Sequence, residues 1–182
     1  MRIRWRWLAI LTVPAVIAGL YWFQPWRLLT DREVREALPP VVAVTAPAAP
    51  PTAVSAPASA PPADTVQRLA AGEFVSHEHD TSGGAELIRR PDGSRQLLLR
   101  DLDTSDGPDL RVWLTDQKVL PGRDGWGVFD DGRWVELAPL KGNRGDQVYA
   151  IPASVDLDGL RSVTIWCKRF SVSFGAATLT AA

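Results

Sequence analysis

The stretch Ser162-Val-Thr-Ile-Trp-Cys-Lys-Arg-Phe-Ser-Val-Ser-Phe-Gly175 decides the fold. Val163, Ile165 and Cys167 fall on one face of an extended chain, because strand side chains alternate with period two. Three residues later the apolar phase flips to Phe170, Val172 and Phe174. A bulge or tight bend at Lys168-Arg169 accounts for the flip, and bulges re-aim side chains near functional sites. Two β-branched and aromatic strands in succession predict antiparallel β-structure here.

Working outward, the same signature repeats. Short candidate strands run over 73–76, 83–89, 95–100, 110–115, 133–137, 146–151, 161–167, 170–174 and 176–180. Gly, Pro and Asp clusters punctuate them at the spacing of an all-β sandwich or barrel. Residues 154–160 read as one helical turn capped by Ser154. Over 66–182 there are 14 basic and 17 acidic residues, net −3, with no basic stripe, which argues against nucleic acid as a partner.

The N-terminal third differs. From Trp7 to Trp26 twenty residues carry no charge, and at about 1.5 Å of rise each they match a hydrocarbon core of about 30 Å. Trp5 and Trp7 flank one end, Tyr21, Trp22 and Trp26 the other, as interfacial aromatics do. Arg2, Arg4 and Arg6 put three positive charges before the span, so the positive-inside rule predicts a cytoplasmic N-terminus and an extracytoplasmic remainder. The competing reading is a signal peptide cut after Ala18. Residues 37–65 hold eight prolines among alanine, serine and threonine, a semi-rigid spacer. The expected organisation is therefore a cytoplasmic stub (1–6), a transmembrane helix (7–26), a juxtamembrane segment and Pro/Ala-rich linker (27–65), and a β-domain (66–182).

Few residues can carry chemistry. Cys167 is the only cysteine, and an extracytoplasmic lone thiol is inert, intermolecularly paired, or reactive. Its core reading is a small buried hydrophobe; its functional reading is a redox thiol or ligand whose pKa falls if Lys168 and Arg169 reach it. His77 and His79 are the only histidines, and on a strand they project from one face. With Cys167 they compose a candidate copper or zinc set, although Met1 is the only methionine and no axial thioether is available. Any haem must take its axial ligands from Cys167, His77, His79 or an oxygen donor such as Tyr149. Four aspartates in 101–109 depart from the EF-hand pattern and read as a turn. There is no Cys-x-x-Cys, no Cys-x-x-Cys-His, no nucleophile elbow and no phosphate loop, so no enzyme class is indicated.

Several strings in order resemble a known family: His79-Asp-Thr-Ser-Gly-Gly-Ala, Leu97-Leu-Leu-Arg-Asp-Leu-Asp-Thr, Gly107-Pro-Asp-Leu-Arg-Val-Trp-Leu, Gly145-Asp-Gln-Val-Tyr-Ala-Ile-Pro and the 162–175 stretch. They are similar to the "electron transfer" DM-thirteen domain, which accompanies DOMON domains in Skeletor-type proteins and occurs in membrane-anchored bacterial proteins. The resemblance implies a β-rich extracytoplasmic domain. It places the family's cysteine at Cys167, proposed as a redox thiol or haem ligand, and a recurrent histidine at His79. It implies no particular prosthetic group, and any electron partner is a separate protein. Where the cysteine is structural instead, the domain is a binding or adhesion module for an envelope component, or an accessory domain for lipid or cell-wall components. A chemical Cys167 calls for His79 as its spatial neighbour, since a thiolate needs a base or positive charge close by.

Overall fold

The structure, a computed structural model, describes residues 2–40 and 65–182. Most of the expected linker, 41–64, lies outside the described residues. Helix α1 runs Arg2–Phe23 and stops because Pro25 disfavours helical backbone in the residue before it. Gln24 turns left-handed at φ 45°, and Pro25–Leu29 tighten into a 3-10 turn. Among the described residues no helix is long and apolar enough to cross a membrane, so the span expected over 7–26 is not supported.

The rest is mostly β. Described strands are β1 (Glu33–Arg35), β2 (Gln67–Ser76), β3 (Ser82–Arg89), β4 (Arg95–Asp103), β5 (Leu110–Thr115), β6 (Trp134–Pro139), β7 (Arg144–Ile151), β8 (Ser162–Cys167), β9 (Val172–Thr178) and β10 (Thr180–Ala181). They form one curled sheet in the order β1-β7-β4-β3-β2-β9-β8-β5-β6, with β10 beside β2. The long β2 turns the corner: its first part pairs β3 and its last residues, Phe74–Ser76, pair β9. Register shifts interrupt five of the ladders, and such bulges increase twist and curl. The result is a half-barrel.

The decisive stretch is a hairpin. Residues 168–171 form its turn, with Ser171 at φ 50°. The phase flip at Lys168-Arg169 is therefore the tight bend rather than the bulge. A bulge does exist, opposite Ile165/Trp166. It shifts the parity of β9, so that Phe174 and Ala177 both face inward. The expected strands 170–174 and 176–180 thereby merge over 172–178 into one strand, β9, with Thr180 opening β10. Residues 154–160 form separate turns closed by Val155 N–H to Pro152 and Leu160 N–H to Leu157, not a helical turn.

Two cores sit on opposite faces of β5, β8 and β9. The larger gathers Leu97, Leu99, Val112, Leu114, Val163, Ile165, Cys167 and Phe174, with others, inside the curl. The smaller holds Trp113, Phe129, Trp166 and Ala176 on the outer face, beneath the segment 116–133.

Sequence reading began the domain at 66, yet the segment before the linker belongs to the sheet. β1 pairs parallel with β7. Buried Asn143 anchors it: Nδ2 donates to Thr104 O at 2.8 Å and Asp31 Oδ1 at 2.9 Å, and Oδ1 accepts from Arg32 N–H at 2.7 Å. Lys141 Nζ grips both carboxylate oxygens of Glu36 at 2.8 Å, and Val148 N–H donates to the same carboxylate. Asn143→Ala is expected to cost about 2–3 kcal/mol, because it leaves buried partners unpaired. Denaturant titration checks this: a lower midpoint with an unchanged slope is expected, and a change under about 0.5 kcal/mol would mean the strap is not held in solution.

Candidate functional site

Cys167 ends β8, pairs with Leu110 of β5 and Val172 of β9, and is wholly buried at 0% exposure. Strand alternation puts it with Val163 and Ile165 in the inner core, while Trp166 lies in the outer one. Backbone groups of Phe170, Arg169 and Asp109 beside the sulfur favour the thiolate. Burial outweighs them and, with the charge of Glu78, pushes the thiol pKa above its ordinary value. Lys168 and Arg169 do not reach the sulfur. Lys168 Nζ pairs with Glu136 at 3.2 Å, and Arg169 donates to Trp22 O at 2.6 Å and covers the Trp22 ring. The thiol is held protonated and away from solvent, so it is no ready nucleophile.

The two histidines part company. Both lie past the end of β2, where period-two alternation no longer applies. His77 turns toward the outer face, where Nε2 donates to Leu120 O at 3.0 Å and Nδ1 accepts from Ser173 Oγ at 2.7 Å. Ser173 in turn meets Thr164 Oγ1 at 2.8 Å, and Phe129 stands against the imidazole. Burial lowers the His77 pKa and keeps the ring neutral. The His79 ring packs against Phe174, tilted by 41° with centroids 4.0 Å apart, and its Nε2 lies 4.0 Å from Glu78. Phe174 is a member of the cluster that contains Cys167, but no hydrogen bond or ion pair joins His79 to the thiol.

The expected three-ligand set is therefore not assembled. His77 and Cys167 are on opposite faces of one sheet, and among the described residues no three His, Cys, Asp or Glu side chains are placed to hold a metal. The acidic stretch is likewise engaged elsewhere: Asp103 pairs with Arg144, Asp106 with Arg27 and Asp109 with Arg111.

Beside His79 opens an apolar pocket of ≈ 350 Å³, which sequence reading missed. Phe174 and Phe170 wall it from the β8–β9 hairpin, Pro108 from the β4–β5 connection, and Phe23 and Leu28 from the N-terminal segment. Phe23 stacks on Phe170 at 5.7 Å, and Arg27 donates to Gly107 O at 3.1 Å. Residues 80 and 147 positions apart thus meet there, which no local pattern signals.

A half-barrel with its single cysteine buried at the end of β8, and an aromatic-walled pocket at the same hairpin, defines a small, mostly β domain. Residues 73–179 match the family model described as Electron transfer DM13, and the chain belongs to that family. No curated protein and no solved structure matches it.

Proposed function

We propose that this DM13 domain is an electron-transfer module in which Cys167 is a buried one-electron centre, working with a separate redox protein. The observation that carries the reading is the setting of the sulfur: wholly closed to solvent in the inner core, beside backbone groups of three residues that favour loss of its proton. That setting disfavours thiol exchange and alkylation while leaving electron loss open. In the step, the thiol gives one electron to a metal-centred or flavin partner, and its proton goes to the carboxylate of Glu78, whose charge raises the thiol pKa and whose N–H is bonded to Ser173 O, next to the β9 partner of Cys167. The product is a thiyl radical, reversed by electron and proton return.

The test is a titration of the full chain with one-electron metal-complex oxidants of graded strength. The wild-type chain is expected to take up one equivalent more than Cys167→Ala, whose uptake is confined to its aromatic rings. Equal uptake by both would return Cys167 to the core. In the same preparation, bulky thiol reagents are expected to leave native Cys167 unlabelled. Smaller reagents should titrate it above the ordinary thiol pKa of about 8.5. Glu78→Gln removes a charge that raises the thiol pKa, so this apparent pKa is expected to fall; an unmoved pKa would exclude Glu78 as the proton acceptor.

We further propose that the N-terminal segment holds the domain at a membrane on its extracytoplasmic side. Its support is a run of exposed apolar side chains, among them Val13, Val16, Ile17, Leu20, Trp22 and Leu29, since contiguous exposed apolar surface marks an interaction site. Release into the soluble fraction on cell disruption would sink that proposal. The apolar pocket favours a second reading, a binding module for an envelope component with Cys167 as core, because its size suits a small ligand.

A further inference from the structure

A continuous aromatic stack crosses the outer face of the half-barrel. Trp134 of β6 is 39% exposed, and its ring lies 5° from parallel to Trp113 of β5 with centroids 4.0 Å apart. Trp113, nearly buried, stacks on Trp166 of β8 at 5.0 Å and 26°. Phe129 closes the inner end edge-on at 6.4 Å from Trp166. Trp166 is the residue before Cys167.

We propose that Trp134, Trp113 and Trp166 form an electron-hopping route from the surface of β6 to the strand that carries Cys167, loaded by a metal-centred one-electron protein docking over Trp134. Indole is the most readily oxidised of the aromatic rings in this core, and the three are in face-to-face order from solvent to interior. Packing alone asks only for apolar volume, which phenylalanine or leucine supplies equally. The middle ring has a further feature. Trp113 Nε1–H donates to Glu136 Oε2 at 3.2 Å, and Glu136 is itself held by Arg111 at 3.1 Å and Lys168 at 3.2 Å. A carboxylate fixed at the indole nitrogen stabilises the ring when it has lost an electron and accepts the proton that such a ring sheds.

The steps balance. The oxidised partner takes one electron from Trp134. Trp113 refills Trp134 while its Nε1 proton shifts to Glu136. Trp166 then refills Trp113, and the proton returns. Last, Cys167 refills Trp166 across the peptide unit between them and gives its proton to Glu78. The net change is one electron gained by the partner, and one electron and one proton lost by the thiol. Only this inner terminus rests on the proposed role of Cys167.

The experiment uses the full chain carrying Asp131→Cys, an exposed position three residues before Trp134, labelled with a ruthenium-polypyridyl photo-oxidant. Cys167, being sealed, escapes the label. After a flash in the presence of a quencher, transient absorption reads tryptophanyl radicals and peptide mass spectrometry reads Cys167. Expected is a tryptophanyl radical followed by loss of the Cys167 thiol. Trp113→Phe keeps a ring in place but should abolish thiol loss within the radical's lifetime, as should the surface variant Trp134→Phe, which leaves the core untouched. Undiminished thiol loss in both variants would overturn the route while leaving Cys167 as a centre. A radical that reaches Trp166 with the thiol intact would support the route and overturn the role of Cys167. Absence of any radical on the stack would overturn the route.

Discussion

Trp166→Ala is expected to lower the unfolding free energy by about 3–5 kcal/mol, the range for emptying a buried aromatic site. Trp166 is only 1% exposed and is among the largest fully buried side chains. It touches the two other aromatic rings of the outer core, Trp113 by stacking and Phe129 edge-on. The site cannot collapse onto the cavity, because β8 is paired on both sides, by β5 and β9. Domains of this size are stable by about 5–15 kcal/mol, so the variant should sit near its unfolding threshold. Trp166→Phe restores most of the volume and should recover more than half of the loss, since volume-conserving swaps cost less than about 1.5 kcal/mol where the fit is good. Chemical denaturation of the two variants decides it. A loss below about 1 kcal/mol for the alanine variant would mean that the 116–133 segment does not cover this face in solution.

The second large effect is a pH dependence set by His77. Burial depresses its folded pKa below the ordinary value of 6.5. The unfolded chain therefore binds the proton more readily, and stability rises with pH wherever that is so. The contribution is fully present above about pH 6.5 and is lost as the pH falls from there toward the depressed folded value, with a slope of at most about 1.4 kcal/mol per pH unit for one group. Protonation also breaks the pairing pattern, since Nδ1 must stop accepting from Ser173 and begin to donate. His77→Gln should be less stable at pH 8 yet flatter between pH 6.5 and 5. Glu36 leaves that window undisturbed: its carboxyl is held below 4.5 chiefly by the hydrogen bond from Lys141, so its contribution is lost only at lower pH. An unchanged slope in His77→Gln would show that His77 is not the neutral, buried ring described above.

The hairpin of β8 and β9 was legible in the residues themselves. Alternation over 162–167 and its flip after Cys167 report a strand, a bend and a second strand, because one face of each is buried. The same rule misled at His77 and His79. Period two holds only while the chain stays extended in a ladder, and β2 ends at Ser76. β1 was not legible at all: Glu33-Val34-Arg35 has no apolar pattern, and its strand exists because the edge of β7 and the side chains of Asn143 and Lys141 receive it.

Sequence by itself determined the β class, the bend after Cys167 and the family, because period, turn residues and motif order are local properties of the chain. Tertiary structure alone decided which face each aromatic and histidine meets. Trp113, Trp134 and Trp166 come from three strands whose adjacency is set by sheet order, and the bulge opposite Ile165/Trp166 fixes the parity of β9. Sheet order and bulges arise from how a curled sheet closes over its core, a balance of long-range packing that no window of residues contains.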